Sequence, residues 1–227
     1  MAANAVLVMG EPGAGKSTSA RTLPPQETFY INVASKPLPY KGWKSNYKEF
    51  NSANPTGNLL NTASSETILS TLDYISAKRL EIKYVIIDDQ NYIAADFLMN
   101  KSGETGFQKF SAAANMIYKI ATKNRTLRSD LIIFILNHVE VSSDIEGERM
   151  IKAKTAGKAI DTQISFEGLF SIVLYAKSEV TKQGVNYYFM TKTDGVSTTK
   201  TPDGMFESDK IPNDLLLVAN AIKAYEE

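Results

Sequence analysis

The chain has 227 residues, with 25 Lys and Arg against 25 Asp and Glu, one His and no Cys. That length supports one sizeable α/β domain, 1–227, and zero net charge sets up no global field for nucleic acid. The missing cysteines exclude disulfides, thiolate zinc sites and cysteine nucleophiles. The N-terminus lacks the basic segment of a secretory signal, and the longest later apolar run, Leu131 to Leu136, is too short to span a bilayer. The expectation is a soluble cytoplasmic protein without membrane contact.

Ala5 to Met9 is a continuous apolar run and predicts a strand buried on both faces. It runs into Gly10-Glu11-Pro12-Gly13-Ala14-Gly15-Lys16-Ser17, followed by Thr18, which has the spacing of a Walker A phosphate-binding loop. In such a loop Gly13 and Gly15 permit backbone that a Cβ would forbid, turning N–H groups inward as an anion nest. Lys16 sets a point charge against β- and γ-phosphates, and the Ser17 hydroxyl ligates Mg²⁺. Ser17 to Leu23 fits a short helix whose positive end faces the phosphates, stopped by Pro24-Pro25.

Thr28 to Val33 reads as a second strand, and Ala34 to Pro55 as a long irregular stretch. Ser64-Ser65-Glu66 can cap a helix facing inward with Ile68, Leu69, Leu72 and Ile75. Tyr84 to Asp89 is a buried strand ending in two carboxylates. Gly106 to Lys123 reads as a helix with Phe107, Phe110, Ala114, Ile117 and Ala121 on one stripe. Leu131 to Leu136 is another buried strand, leading to Asn137-His138, and Ser142 to Arg149 reads as a mobile loop. Ile164 to Ala176 and Asn186 to Thr191 are strand-like around the turn Lys182-Gln183-Gly184, and Pro212-Asn213-Asp214 opens a last helix. Alternating strand and helix predicts a mainly parallel sheet flanked by helices, extended by antiparallel strands near the C-terminus.

A Walker A loop needs a second acid. Asp88, at the carboxyl end of its strand, is the candidate for positioning Mg²⁺, lying beside the loop if the two strands are neighbours. Asp89 is placed to orient or activate water. Asn137 and His138, at a strand end, are candidates to sense phosphate or hold that water, with a backbone-satisfied histidine as the alternative; Glu140 is a further candidate base. Lys152 and Lys154 share a face at strand spacing and could reach a phosphate in a neighbouring subunit, or else form a solvated basic edge. Arg125 and Arg128 read as solvated turn charges. The lysines and aromatics from Tyr40 to Lys48 fit either a single-strand nucleic-acid surface or a loop pinned to its own core by Trp43.

The segments GEPGAGKSTSARTL, INVASKPLPYKGW, VIIDDQNYI, FILNHVE, KTAGKAID through ISFEGLF, DGMFE and IPNDL together resemble a family of small bacteriophage ATP-binding proteins, grouped with AAA-type and RecA-core ATPases. The resemblance runs over nearly the whole chain. It implies a RecA-like P-loop fold, ATP and Mg²⁺ as ligands, a homo-oligomer, and residence in the host cytoplasm. Some relatives, the Sak-type annealing ATPases, act on single-stranded DNA, which implies recombination or replication work beside phage or host proteins. RecA-type recombinases carry a lysine pair across the subunit interface, which bears on Lys152 and Lys154. They also end the second strand in a glutamate, whereas Ile31-Asn32-Val33-Ala34 has no acid. Three functions therefore stay open: an ATPase, a nucleotide-gated assembly protein with little turnover, and a small-molecule kinase. The acidic Ser142 to Arg149 stretch argues against the kinase, which needs a cationic lid.

Overall fold

The apolar runs become the inner strands of one mixed sheet. The computed structural model describes residues 2–143, 147, 149–155 and 165–227. Its strands are β1 (Asn4–Gly10), β2 (Thr28–Asn32), β3 (Leu59–Asn61), β4 (Tyr84–Asp88), β5 (Ile132–Ser143), β6 (Arg149–Ala153), β7 (Ile172–Thr181), β8 (Gly184–Met190) and β9 (Lys210–Pro212). The order is β3-β2-β4-β5-β1-β7-β8-β9, with β6 paired to the distal half of β5. Every pair from β3 to β7 is parallel, while β8, β9 and β6 are antiparallel additions. This is the α/β architecture expected from the alternating pattern.

Strand alternation divides the core into two faces. Leu7, Met9, Phe29, Ile31, Val85, Ile87, Ile133 and Ile135 lie on one side. They are covered there by α2 (Ser65–Lys78), α3 (Asn91–Asn100) and α4 (Gln108–Ala121), the short α1 (Trp43–Asn46) lying in the stretch between β2 and β3. Val6, Val8, Tyr30, Ile86, Phe134 and Leu136 lie on the other, under Ala20, Leu23 and the last helix, α5 (Leu215–Glu226). Ser64 caps the N-terminus of α2 and Asp214 that of α5. Ser64 Oγ accepts from Thr67 N at 3.3 Å, and Asp214 Oδ1 accepts from Leu216 N and Leu217 N at 2.8 and 3.1 Å. No helix of the described residues is long and apolar enough to cross a membrane.

Several expectations are corrected. Asp88 reaches the Walker A loop although β1 and β4 are not neighbours, because β5 lies between them. The turn after that loop is a 3₁₀ helix, Ser17–Thr22. β5 does not stop at Leu136; it continues to Ser143, so Asn137 and His138 sit within a strand, level with Met9 and Gly10. Ser142, Ser143 and Arg149 belong to β5 and β6 rather than to a loop, and residues 144–146 and 148 of that stretch lie outside the described residues. So do residues 156–164, with most of the KTAGKAID segment and the start of the Ile164 strand; β7 itself begins at Ile172. Helix α4 starts at Gln108, which leaves Phe107 87% and Phe110 39% exposed rather than on the inner stripe. Helix α3 has no counterpart in the sequence reading. Arg128 is a clamp, not a solvated charge: its guanidinium donates to the carbonyls of Ile75, Arg79 and Ile82 where α2 ends.

Candidate functional site

The parallel strands carry their carboxyl ends to one edge, where crossovers leave a crevice. The cleft there has a volume of about 600 Å³. It is lined by Pro12, Gly13, Gly15, Lys16, Ser17 and Thr18 of the phosphate loop, by Lys36, Asp89 and His138 on one wall, and by Arg21, Pro39, Val185, Asn186, Tyr187 and Asn213. The lining holds three cationic side chains against one carboxylate, in a protein whose net charge is zero. Such a concavity concentrates anions.

The floor is built by the Walker A residues. Gly13 and Gly15 have φ of 81° and 86°, the left-handed region that a side chain resists. A Cβ on Gly15 would also lie 3.0 Å from the Tyr187 ring. Lys16 is buried, its Nζ donating to the carbonyls of Gly10 at 2.8 Å and Glu11 at 3.1 Å. Burial lowers its pKa, while Asp89, Asp88 and Glu11 oppose that shift. Ser17 Oγ donates to Asp88 Oδ1 at 3.0 Å, and the buried Tyr30 hydroxyl donates to Asp88 Oδ2 at 2.6 Å. Desolvation nonetheless raises the Asp88 pKa.

Among the described residues no group of three His, Cys, Asp or Glu could hold a metal alone. Ser17 and Asp88 fit Mg²⁺ nonetheless, because that ion takes one or two protein oxygens and completes its shell with phosphates and water. When bound with phosphates, Mg²⁺ supplies charge neutralisation between their oxygens.

The wall is different. Asp89 follows β4 with φ of 63°, and its carboxylate meets Lys36 Nζ at 2.5 Å and His138 Nε2 at 3.2 Å. Burial pushes its pKa up, but the bonds from His138 and Lys36 outweigh that and hold it at about 2. The His138 ring packs edge-on against Tyr92, centroids 5.8 Å apart, and the His138 backbone N–H donates to Asn91 Oδ1 at 3.3 Å.

The remaining sequence candidates fall elsewhere. Asn137 is buried, and its amide donates to the carbonyls of His138 and Lys154, so it does not line the cleft. Glu140 pairs with Lys152 at 3.2 Å, away from the cleft. Lys152 and Lys154 alternate with buried Ile151 and Ala153, as the shared face requires, and neither lines the cleft. Lys154 borders a second groove with Glu11, Pro12, Tyr92 and His138. The aromatic loop is pinned to the core by Leu38 and Tyr47, both buried, with Trp43 packed partly against them. Tyr47 meets Tyr30 edge-on at 5.7 Å.

Sequence reasoning missed Lys36, Tyr30, Arg21, Tyr187 and Asn213. A signal existed for Tyr30: it shares a face with Ile86, its partner across the β2–β4 register, and therefore with Asp88. Lys36 had none, because its place depends on the turn after β2.

No protein-family profile matches this chain, and no curated protein does. Among solved structures it is similar to the KaiC-like protein PH0186 from the hyperthermophilic archaeon Pyrococcus horikoshii OT3. The identity is 11%, over 93% of this chain and 85% of that one, with a TM-score of 0.49. It is also similar to the flagellar accessory protein FlaH from Methanocaldococcus jannaschii, at 12% identity over 92% and 84%, with a TM-score of 0.45. Likeness at these scores adds nothing to the strand order and site described above.

Proposed function

We propose that this chain is a Mg²⁺-dependent ATP-binding protein of RecA-like architecture that hydrolyses ATP. One observation carries the reading: Lys16, Ser17 and Asp88 converge on the floor of a cation-lined cleft. Lys16 meets the β- and γ-phosphates, the glycine loop cradles them, and Ser17 and Asp88 hold Mg²⁺, Asp88 directly or through water. Asp89 and His138 stand where water would approach the terminal phosphate. The phage-type sequence segments support a role on single-stranded DNA in recombination or replication, within a homo-oligomer where Lys152 and Lys154 act across the interface.

The test is phosphate release from Mg²⁺-ATP, with and without single-stranded DNA. Release that rises with DNA and disappears in Lys16→Ala supports the reading. Release that persists in Lys16→Ala sinks the active site. DNA that neither binds nor stimulates at low salt sinks the DNA role.

A second reading is a nucleotide-gated assembly protein with little turnover. It is favoured by the state of the acids. Asp89, held at about 2 by its bonds to His138 and Lys36, is a weak base. The end of β2 offers only Asn32, whose amide donates to Lys36 O and Asn61 Oδ1. Assembly on ATP with negligible phosphate release separates this reading from the first.

A further inference from the structure

Two non-glycine residues among those described have positive φ, Ser35 at 53° and Asp89 at 63°. Left-handed backbone costs a residue with a Cβ energy, and such positions gather where a side chain has to be aimed. Ser35 precedes one member of an ion pair, Lys36, and Asp89 is the other. Ser35 turns the chain after β2, its N–H donating to Asn32 O at 3.2 Å, and Asn32 Nδ2 fixes the next carbonyl, Lys36 O, at 2.7 Å. Lys36 is thereby directed across the cleft to Asp89, which is itself held by His138. Asp89 is buried, whereas the Lys36 side chain keeps 61% of its surface exposed within the cleft. An ammonium has three donors, and one carboxylate does not use them all.

We infer that Lys36 contacts the terminal phosphate of a bound nucleoside triphosphate from within the same chain, with Asp89 as its anchor rather than as a base. This rests on the nucleotide-binding reading above. The position is suited to the terminal group. Lys36 lines the same cleft as Lys16 and Ser17 and pairs with Asp89, the residue next to Asp88, which binds Ser17. Both ammonium groups line one cleft, so an anion held there can meet both. An anion between them relieves their repulsion and leaves Asp89 bridging Lys36 and His138. A cation supplied in this way does within one chain what an arginine finger does from a neighbour.

The experiment compares the affinities of ADP and of a non-hydrolysable β,γ-imido ATP analogue, both with Mg²⁺, for wild type, Lys36→Ala and Lys36→Arg. Losing a charge-assisted bond to phosphate weakens the analogue by about tenfold or more in Lys36→Ala, with ADP changed less than about twofold. Lys36→Arg, which keeps the charge, recovers most of the loss. Equal weakening of ADP and analogue marks a merely structural role and overturns the proposal, as does no change in either. A wild type that binds neither nucleotide overturns the proposal together with the reading beneath it, whereas tight wild-type binding with an unchanged Lys36→Ala overturns the proposal alone.

Discussion

The floor and the wall of the cleft are built in opposite ways. The floor joins the loop that leaves β1, with Lys16 and Ser17, to Asp88 at the end of β4, both strands being buried in the sheet. The wall, Lys36, Asp89 and His138, is assembled from a turn, a strained residue just past a strand, and a mid-strand histidine. Adjacent carboxylates feel the difference: burial raises the Asp88 pKa, while the bonds from His138 and Lys36 hold Asp89 at about 2. The floor is therefore suited to hold a ligand, and the wall to tell one phosphate from another.

The largest effect should come from the floor. Asp88→Ala leaves Ser17 and Tyr30 without their shared acceptor and should weaken Mg²⁺-dependent nucleotide binding on the order of 100-fold, read as affinity across a Mg²⁺ titration. Equal loss with and without Mg²⁺ would break the assignment of Asp88 to the metal.

Tyr30→Phe is a smaller break in the same region. It keeps the ring in the core and removes the donor to Asp88 Oδ2, so the Mg²⁺ requirement should rise by about tenfold. Thermal unfolding of the nucleotide-free protein should also show about 1–3 kcal/mol lost, because a buried carboxylate oxygen is left unpaired. A stability loss with an unchanged Mg²⁺ requirement would make Tyr30 a core residue only.

The smallest effect belongs to the wall. The Asp89 pKa lies below that of an unfolded aspartate, so its ion pairs add stability that is present above about pH 4 and lost as pH falls through about 2. Asp89→Asn lacks that contribution. The gap in unfolding midpoint between wild type and variant should close over this window, and a constant gap would show that the pairs with Lys36 and His138 do not govern it.

The same contrast decides what was legible in the sequence. The floor lies within two short strings, GEPGAGKS and VIID, each an apolar strand running into its functional residues, so local pattern sufficed. The wall needs the register of β2, β4 and β5, which no local pattern encodes. His138 was read at a strand end because the apolar run stops at Leu136, yet pairing with β6 carries the strand to Ser143. Helix α3 carries Ile93, Ala94, Phe97 and Leu98 at helical spacing, but of these only Ile93 and Ala94 are buried, so its apolar stripe is too short to stand out. Phe107 misled the α4 stripe: it is the residue before the helix and takes no part in its buried face.

The central claim is that the floor binds Mg²⁺-ATP through Lys16. Calorimetric titration of Mg²⁺-ATP into wild type and Lys16→Ala tests it directly, with the fold of each checked by circular dichroism. Saturable binding at one site in wild type, weakened on the order of 100-fold or more in a folded Lys16→Ala, is the expected result. Equal affinity in the two proteins, or none in wild type, would contradict it.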